Sequence, residues 1–338
     1  MFTYLLIFIF LGMMALIAHS RQPLLSNSFQ SLKWNPLWML LFVFFTIFIG
    51  LRHEVGGDWG AYLTYLESLR GTKFADGLDL TADPGYYLLN WLAFSNGFNI
   101  YSVNLFCGFI FSIGLVFFCR NLPRPLLALV AAFPYMVVVV AMGYSRQGVA
   151  LGLAMIALVL LGREKRIWFI IFILLATLFH KTAIVLLPIA ALASTKNRFL
   201  VLFWVSIIGL TVYYSLLALS FDRLYLYYVT HTYSSQGALV RLMMLLIPSL
   251  LLILWPHRFK FARSELMLWR VCAFLSMGLF LLYFFTDAST AVDRIALYML
   301  PIQLVVFSSL PEFFGKNGEL QQWIIIGAVL YFFLVLLV

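Results

Sequence analysis

Charge is what this chain has least of. Of its 338 residues 10% are Asp, Glu, Lys or Arg, and 64% are hydrophobic. Soluble domains carry about 25% charged and roughly 45–50% apolar residues, so a soluble enzyme or a soluble nucleic-acid binder is excluded. Cysteine is scarce as well. Cys107, Cys119 and Cys272 lie inside apolar runs, at neither metal-site nor disulfide-motif spacing, which excludes a secreted disulfide scaffold. There are no long linkers, low-complexity tracts or internal repeats, so one domain over 1–338 is expected. No basic residue precedes the first apolar run, and the first cation is Arg21. That order predicts a retained helix with its N-terminus outside rather than a cleaved signal peptide. The formal net charge of +9 comes from Lys and Arg scattered in ones, twos and threes between apolar runs, as membrane loops carry them.

What is there in abundance is apolar length. The mean hydropathy is +1.01, and a membrane span needs about 20 mostly apolar residues. The pattern predicts an all-α polytopic membrane protein of about 10–12 membrane helices, with spans near 2–19, 36–52, 99–119, 125–142, 146–162, 199–219, 239–256, 268–286, 293–310 and 322–338. Residues 84–95 are too short to cross and rich in Tyr and Trp, which predicts an interfacial helix in the first large outer loop. His180 and Lys181 interrupt 167–193, which predicts a broken or re-entrant hairpin. With that arrangement the loops placed in the cytoplasm carry fourteen Lys and Arg against four acids, and the opposite side is left near neutrality. The positive-inside rule is satisfied. A single crossing by 167–193 would instead put the basic stretch 257–263 outside.

The unusual polar residues then gather on the outer side, in loops 53–98, 220–238 and 287–292 and at the helix ends beside them. Arg52, Arg146, Arg241 and Arg294 all sit at helix ends there. Arg146, Arg241 and Arg294 are read into the first turn of a helix, where a cation opposes the macrodipole by about 0.3–1 kcal/mol unless an anion is near. A helix start also offers free N–H groups to an anion, so the pattern suggests a phosphate or diphosphate pocket. The plainer alternative is arginines that snorkel to the interface, with Arg294 neutralised by Asp293. Around Arg146 crowd Tyr144, Ser145 and Gln147, with no acid among them. His180 beside cations is expected to stay neutral and able to act as a base, or else to cap a kink. Asp58, on the Gly56–Gly57 turn, is open to three readings: a base, a sugar-hydroxyl acceptor or a loop cap. Asp76, Asp79 and Asp83 are too loosely spaced to define a cation site. The Tyr-rich stretch 224–233, with His231, suits sugar stacking or, more simply, the interface.

In order along the chain stand Arg-His-Glu-Val-Gly-Gly-Asp-Trp-Gly-Ala-Tyr (52–62), Tyr-Ser-Arg-Gln-Gly-Val-Ala-Leu-Gly-Leu (144–153), His-Lys-Thr-Ala-Ile-Val-Leu-Leu-Pro (180–188) and Asp-Arg-Ile-Ala-Leu-Tyr (293–298). Together they resemble the EpsG family, the Wzy-like polymerases of bacterial exopolysaccharide and O-antigen. Gly57 and Trp59 depart from the family's usual threonine and tyrosine. The resemblance implies a GT-C-like glycosyltransferase in the bacterial inner (cytoplasmic) membrane, with its active face periplasmic. Such enzymes move a growing glycan from undecaprenyl diphosphate to the non-reducing end of a lipid-linked repeat unit. On that reading no cofactor or metal is needed, and the partners are the lipid-linked oligosaccharide, membrane lipid and a polysaccharide chain-length regulator, with no nucleic acid. His180 would be the base, with Asp58 the competing candidate. Arg146 with Arg241 or Arg294 would take the diphosphate, and Arg52, Tyr144, Gln147, Lys181 and Asp293 would hold substrate. The alternatives are a GT-C-type enzyme using a polyprenyl-phosphate sugar, an O-antigen ligase-like transferase, a lipid-linked glycan flippase and a membrane acyltransferase.

Overall fold

A computed structural model describes residues 2–19, 35–69, 83–194, 198–212, 237–286, 289–313 and 318–337. Its regular structure there is all helical. The helices run α1 (Phe2–His19), α2 (Pro36–Gly50), α3 (Trp59–Ser68), α4 (Pro84–Ser95), α5 (Ile100–Arg120), α6 (Pro125–Ala132), α7 (Ser145–Gly162), α8 (Arg166–Phe179), α9 (Lys181–Leu192), α10 (Arg198–Val212), α11 (Ala238–Leu254), α12 (Arg263–Tyr283), α13 (Ser289–Leu297), α14 (Pro301–Phe313) and α15 (Gly318–Leu337). Local chemistry sets several starts. Asn35 and Asn99 accept the backbone N–H of Leu37 and Tyr101 at 3.2 and 3.1 Å, which satisfies donors that a helix start leaves free. Pro36, Pro84, Pro125 and Pro301 open their helices, where the missing N–H costs nothing. After α6 the helix widens into a π segment, Phe133–Ala141, beginning next to Pro134, which cannot donate to the regular ladder.

This is a polytopic all-α membrane protein. Among the described residues α5, α7 and α12 are long and apolar enough to cross a bilayer, and α13 and α14, bent by 49° at their break, meet the same requirement only together, as a broken span or a re-entrant loop. Shorter apolar helices surround them. Large apolar side chains face outward on many helices, including Ile17, Met39, Phe106, Ile167, Phe203, Ile247, Phe274 and Ile324. Lipid accepts such a surface and water does not.

Two expectations change. The predicted single span 293–310 is broken at residues 298–300. Consequently Arg294 is not in a first helical turn: α13 begins at Ser289, and Arg294 lies in its last turn, where the macrodipole favours a cation. The break within 167–193 does fall at His180, an extended residue between α8 and α9.

Polar contacts sort the helix ends into two sets. At one end Arg163 bonds Asn121, Ser264 Oγ donates to the Gly162 carbonyl at 2.8 Å, and Gln322 joins Arg124 to the Ala15 carbonyl at 3.1 and 2.7 Å. Arg52, Arg146, His180, Arg241 and Arg294 gather at the other. His180 and Arg241 both lie at this second end, beside the adjacent residues Arg294 and Asp293.

Glycines let the central helices touch. A Cβ on Gly152 of α7 would lie 2.7 Å from the Phe111 Cα of α5, and one on Gly50 of α2 would lie 2.5 Å from the Leu105 Cα. α5 is thus clamped between α2 and α7, with α8 on the far side of α7. Close backbone approach through small residues is how helices associate where lipid removes the hydrophobic drive.

Candidate functional site

Each functional side chain at the second end is placed by a helix end. Arg52 follows α2 and turns inward, 4% exposed. It donates to the Ile49 carbonyl at 3.1 Å, to Asn104 Oδ1 at 3.0 Å and to Ser145 Oγ at 2.5 Å. Ser145 Oγ donates in turn to Asn104 Oδ1 at 3.2 Å. One arginine therefore ties the end of α2 to α5 and to the start of α7 through NH1 and NH2, while its buried Nε has no hydrogen-bond partner among the described residues.

The loop after Arg52 is folded tightly. Glu54 and Gly56 both have left-handed backbone, with φ of 50° and 95°. A Cβ on Gly56 would lie 2.6 Å from the Gly143 Cα, so only glycine fits where this turn rests on the residues before Tyr144. The turn sets Asp58 at the start of α3. Asp58 is half-buried, and the Tyr62 hydroxyl lies 3.4 Å from its Oδ2.

Arg146, in the first turn of α7, leans over the rings of Tyr62 and Tyr86, its guanidinium carbon 5.9 Å from each centroid. Its sequence neighbours Tyr144, Ser145 and Gln147 include no acid, but the fold brings one from elsewhere in the chain. Asp83, 63 positions earlier, accepts from its NH1 at 2.9 Å. The Arg146 side chain stays 43% exposed while that of Asp83 is 14% exposed, so the guanidinium has an open side. Burial pushes the Asp83 carboxyl above its ordinary value; Arg146, then the charge and backbone N–H of Lys181, pull it back down. Asp83 thus joins α7 to the start of α9, and is held by cations of the protein rather than offered to a metal. Asp76, Asp79, the stretch 224–233 and His231 lie outside the described residues.

His180 is 7% exposed and Lys181 6%. The Arg294 NH1 lies 3.0 Å from His180 Nε2. On the other side of the ring, Nδ1 is 2.8 Å from Thr182 Oγ1, itself 3.5 Å from the Tyr298 hydroxyl. Arg146 and Arg294 both act electrostatically on the imidazole. Arg146 and Arg294 therefore flank His180, and the adjoining Lys181 joins the group through Asp83, the carboxylate it shares with Arg146.

Arg241 is placed differently. It lies in the first turn of α11, 4% exposed, with Nε donating to the Tyr135 hydroxyl at 3.0 Å and NH1 to the Asp293 carbonyl at 3.0 Å. The Asp293 carboxylate is 2.6 Å away, and the Tyr135 ring lies under the guanidinium at 5.4 Å. This arginine is occupied on every side and fastens α11 to α13 and to the π segment. Gln147 is buried, its Nε2 without a partner, while Tyr144 is half-buried at the start of α7.

The structure thus brings Arg146, His180, Lys181 and Arg294 into one cluster, with Asp58 joined to it through Tyr62. It withdraws Arg52 and Arg241 into protein contacts. Sequence reasoning missed Tyr62, Tyr86, Asn104, Tyr135, Thr182 and Tyr298. For Asn104 a signal existed, a lone amide in an otherwise apolar run, and Tyr62, Thr182 and Tyr298 lie inside the motif stretches 52–62, 180–188 and 293–298; for Tyr86 and Tyr135 there was none.

Chemically, the cluster presents fixed cationic donors in a largely apolar surrounding, next to a half-buried carboxylate. Within the cluster three cations, Arg146, Lys181 and Arg294, are grouped with one shared carboxylate, Asp83, an excess that favours an anionic ligand. Among known proteins, the family model described as the EpsG family matches residues 35–338. No curated protein and no solved structure matches the chain.

Proposed function

The chain belongs to the EpsG family, whose activity is of the polysaccharide-polymerase, glycosyltransferase-like kind, and from that premise we propose that it transfers a growing glycan from undecaprenyl diphosphate to the non-reducing end of a lipid-linked repeat unit. The observation that carries the reading is the cluster of Arg146, Lys181 and Arg294 around His180 with one shared carboxylate, Asp83. A diphosphate is the anion that such a cluster suits, since guanidinium groups bind phosphate oxygens through paired, charge-assisted bonds.

In the reaction the acceptor hydroxyl oxygen bonds to the anomeric carbon while the bond from that carbon to the diphosphate oxygen breaks. The electron pair leaves on the diphosphate, whose charge Arg146 and Arg294 stabilise as it develops. The hydroxyl proton passes to Asp58. That carboxylate suits the task because it is half-buried and has one long contact, to Tyr62, whereas both ring nitrogens of His180 face protein groups. Tyr144, Gln147 and Lys181 line the approach. We place the site at the periplasmic face of the bacterial inner membrane, where the charge asymmetry of the loops puts it.

The test is binding to purified protein in detergent. Undecaprenyl diphosphate should bind more tightly than undecaprenyl monophosphate, and Arg146→Ala should erase the preference with the far-ultraviolet spectrum unchanged. Equal affinity for the two lipids would point instead to a polyprenyl-monophosphate sugar donor.

A further inference from the structure

Resting on that reading, we propose that His180 is a positioning residue that aims the Arg294 guanidinium at the departing diphosphate, rather than the group that takes the acceptor's proton. The argument is one of donor and acceptor roles. A guanidinium only donates and keeps its protons in proteins, so the nitrogen 3.0 Å from Arg294 NH1 accepts. Nε2 of His180 is therefore the bare nitrogen. In a neutral imidazole the proton is then on Nδ1, which donates to Thr182 Oγ1 at 2.8 Å; the Thr182 backbone N–H, at 3.4 Å, is too distant to compete. The ring is held at both nitrogens, by α13 on one side and by the first turn of α9 on the other.

The surroundings agree. The charged groups that act on the ring are Arg294 from α13 and Arg146 from α7, and a further positive charge placed between them by protonating His180 is opposed by both. Using Nε2 as a base would also require Arg294 to let go at the moment when the diphosphate needs it. Conversely, Arg294 has five residues of α13 before it and a helix break at 298–300 after it, so its backbone alone does not fix the long side chain. The imidazole supplies a fixed point for NH1, and a guanidinium displaced by about 1 Å from the charge it stabilises loses on the order of 100-fold in rate.

The experiment is a reconstituted polymerisation assay on full-length protein, with a lipid-diphosphate-linked repeat oligosaccharide, comparing His180→Gln, His180→Asn and His180→Ala across pH. Glutamine places its Oε1 as many bonds from Cα as Nε2 and accepts from Arg294, yet it cannot act as a base. Asparagine reaches only as far as Nδ1 and offers Arg294 NH1 no acceptor at the position of Nε2. The proposal predicts that His180→Gln keeps rates within about 10-fold and the wild-type pH profile, while His180→Asn and His180→Ala lose about 100-fold in kcat with little change in KM. It is overturned if His180→Gln is as inactive as His180→Ala while still folded and still binding undecaprenyl diphosphate. A variant that misfolds is replaced by ¹⁵N-histidine NMR of the wild type. A ring protonated on Nδ1 alone from about pH 5 to 8 agrees with the proposal; one that gains a second proton near its ordinary value contradicts it. Absence of polymer with wild-type protein would instead remove the proposed function and leave the NMR result to decide the placement of the ring.

Discussion

Arg241 and Asp293 form a buried pair whose removal has a computable signature. Their side chains are 5% and 11% exposed, 2.6 Å apart, and Arg241 also serves Tyr135 and the Asp293 carbonyl. Taking away one partner leaves the other charged and buried, which costs about 3–5 kcal/mol. Arg241→Met and Asp293→Asn should each show a loss of that order. Together they remove both charges, and replacing a buried pair by neutral side chains of similar size is close to neutral. The double variant should therefore be no less stable than either single, recovering at least about 3 kcal/mol of the roughly 6–10 kcal/mol sum of the two losses. The assay is equilibrium unfolding in mixed detergent micelles, run as a double-mutant cycle beside polymer synthesis. Strictly additive losses would refute the pairing. A double variant that regains stability and still makes no polymer would refute the structural role and put Arg241 on the substrate.

Three further outcomes follow from the same geometry. Gly56→Val should disable the site and lower stability, because it meets both a left-handed backbone and the Gly143 Cα at 2.6 Å; Gly57→Ala, with open space around it, should be tolerated, and thermal unfolding in detergent separates the two. Asp58→Asn should leave undecaprenyl diphosphate binding intact and stop glycan transfer, measured as released lipid diphosphate. Asp83 carries a pH signature. Its carboxyl sits above its ordinary value, so the stability it contributes is fully present below the unfolded value and is lost as pH rises through the raised one; Asp83→Asn should flatten that part of the Tm-against-pH curve, and a slope unchanged by the substitution would contradict the burial argument.

Much of the fold is legible in the sequence because lipid imposes one rule on every span. Runs such as 2–19, 100–120 and 145–162 announce themselves by length, and His180–Lys181 marks a break because a polar pair there has no lipid-compatible alternative. The break at 298–300 is hidden, since Tyr298, Met299 and Leu300 are as apolar as a helix interior and Pro301 alone punctuates them. At the site, Arg146, His180 and Arg294 are visible as charges in costly places. Their partners are not. Asp83 lies 63 positions from Arg146, and Asn104 52 from Arg52, distances that only the packing of α4, α5 and α7 closes. For the same reason sequence cannot separate an arginine with an open side, such as Arg146, from one whose donors are consumed, such as Arg241. Both look like helix-end cations until their neighbours are placed.

The most direct test of the central claim is reconstitution of the protein in proteoliposomes, with a lipid-diphosphate-linked repeat oligosaccharide as sole substrate. The account predicts a ladder in steps of one repeat, undecaprenyl diphosphate released in proportion to the bonds formed, and neither product from Arg146→Ala. Single-sugar transfer from a polyprenyl-monophosphate donor, with no ladder from the diphosphate substrate, would contradict it.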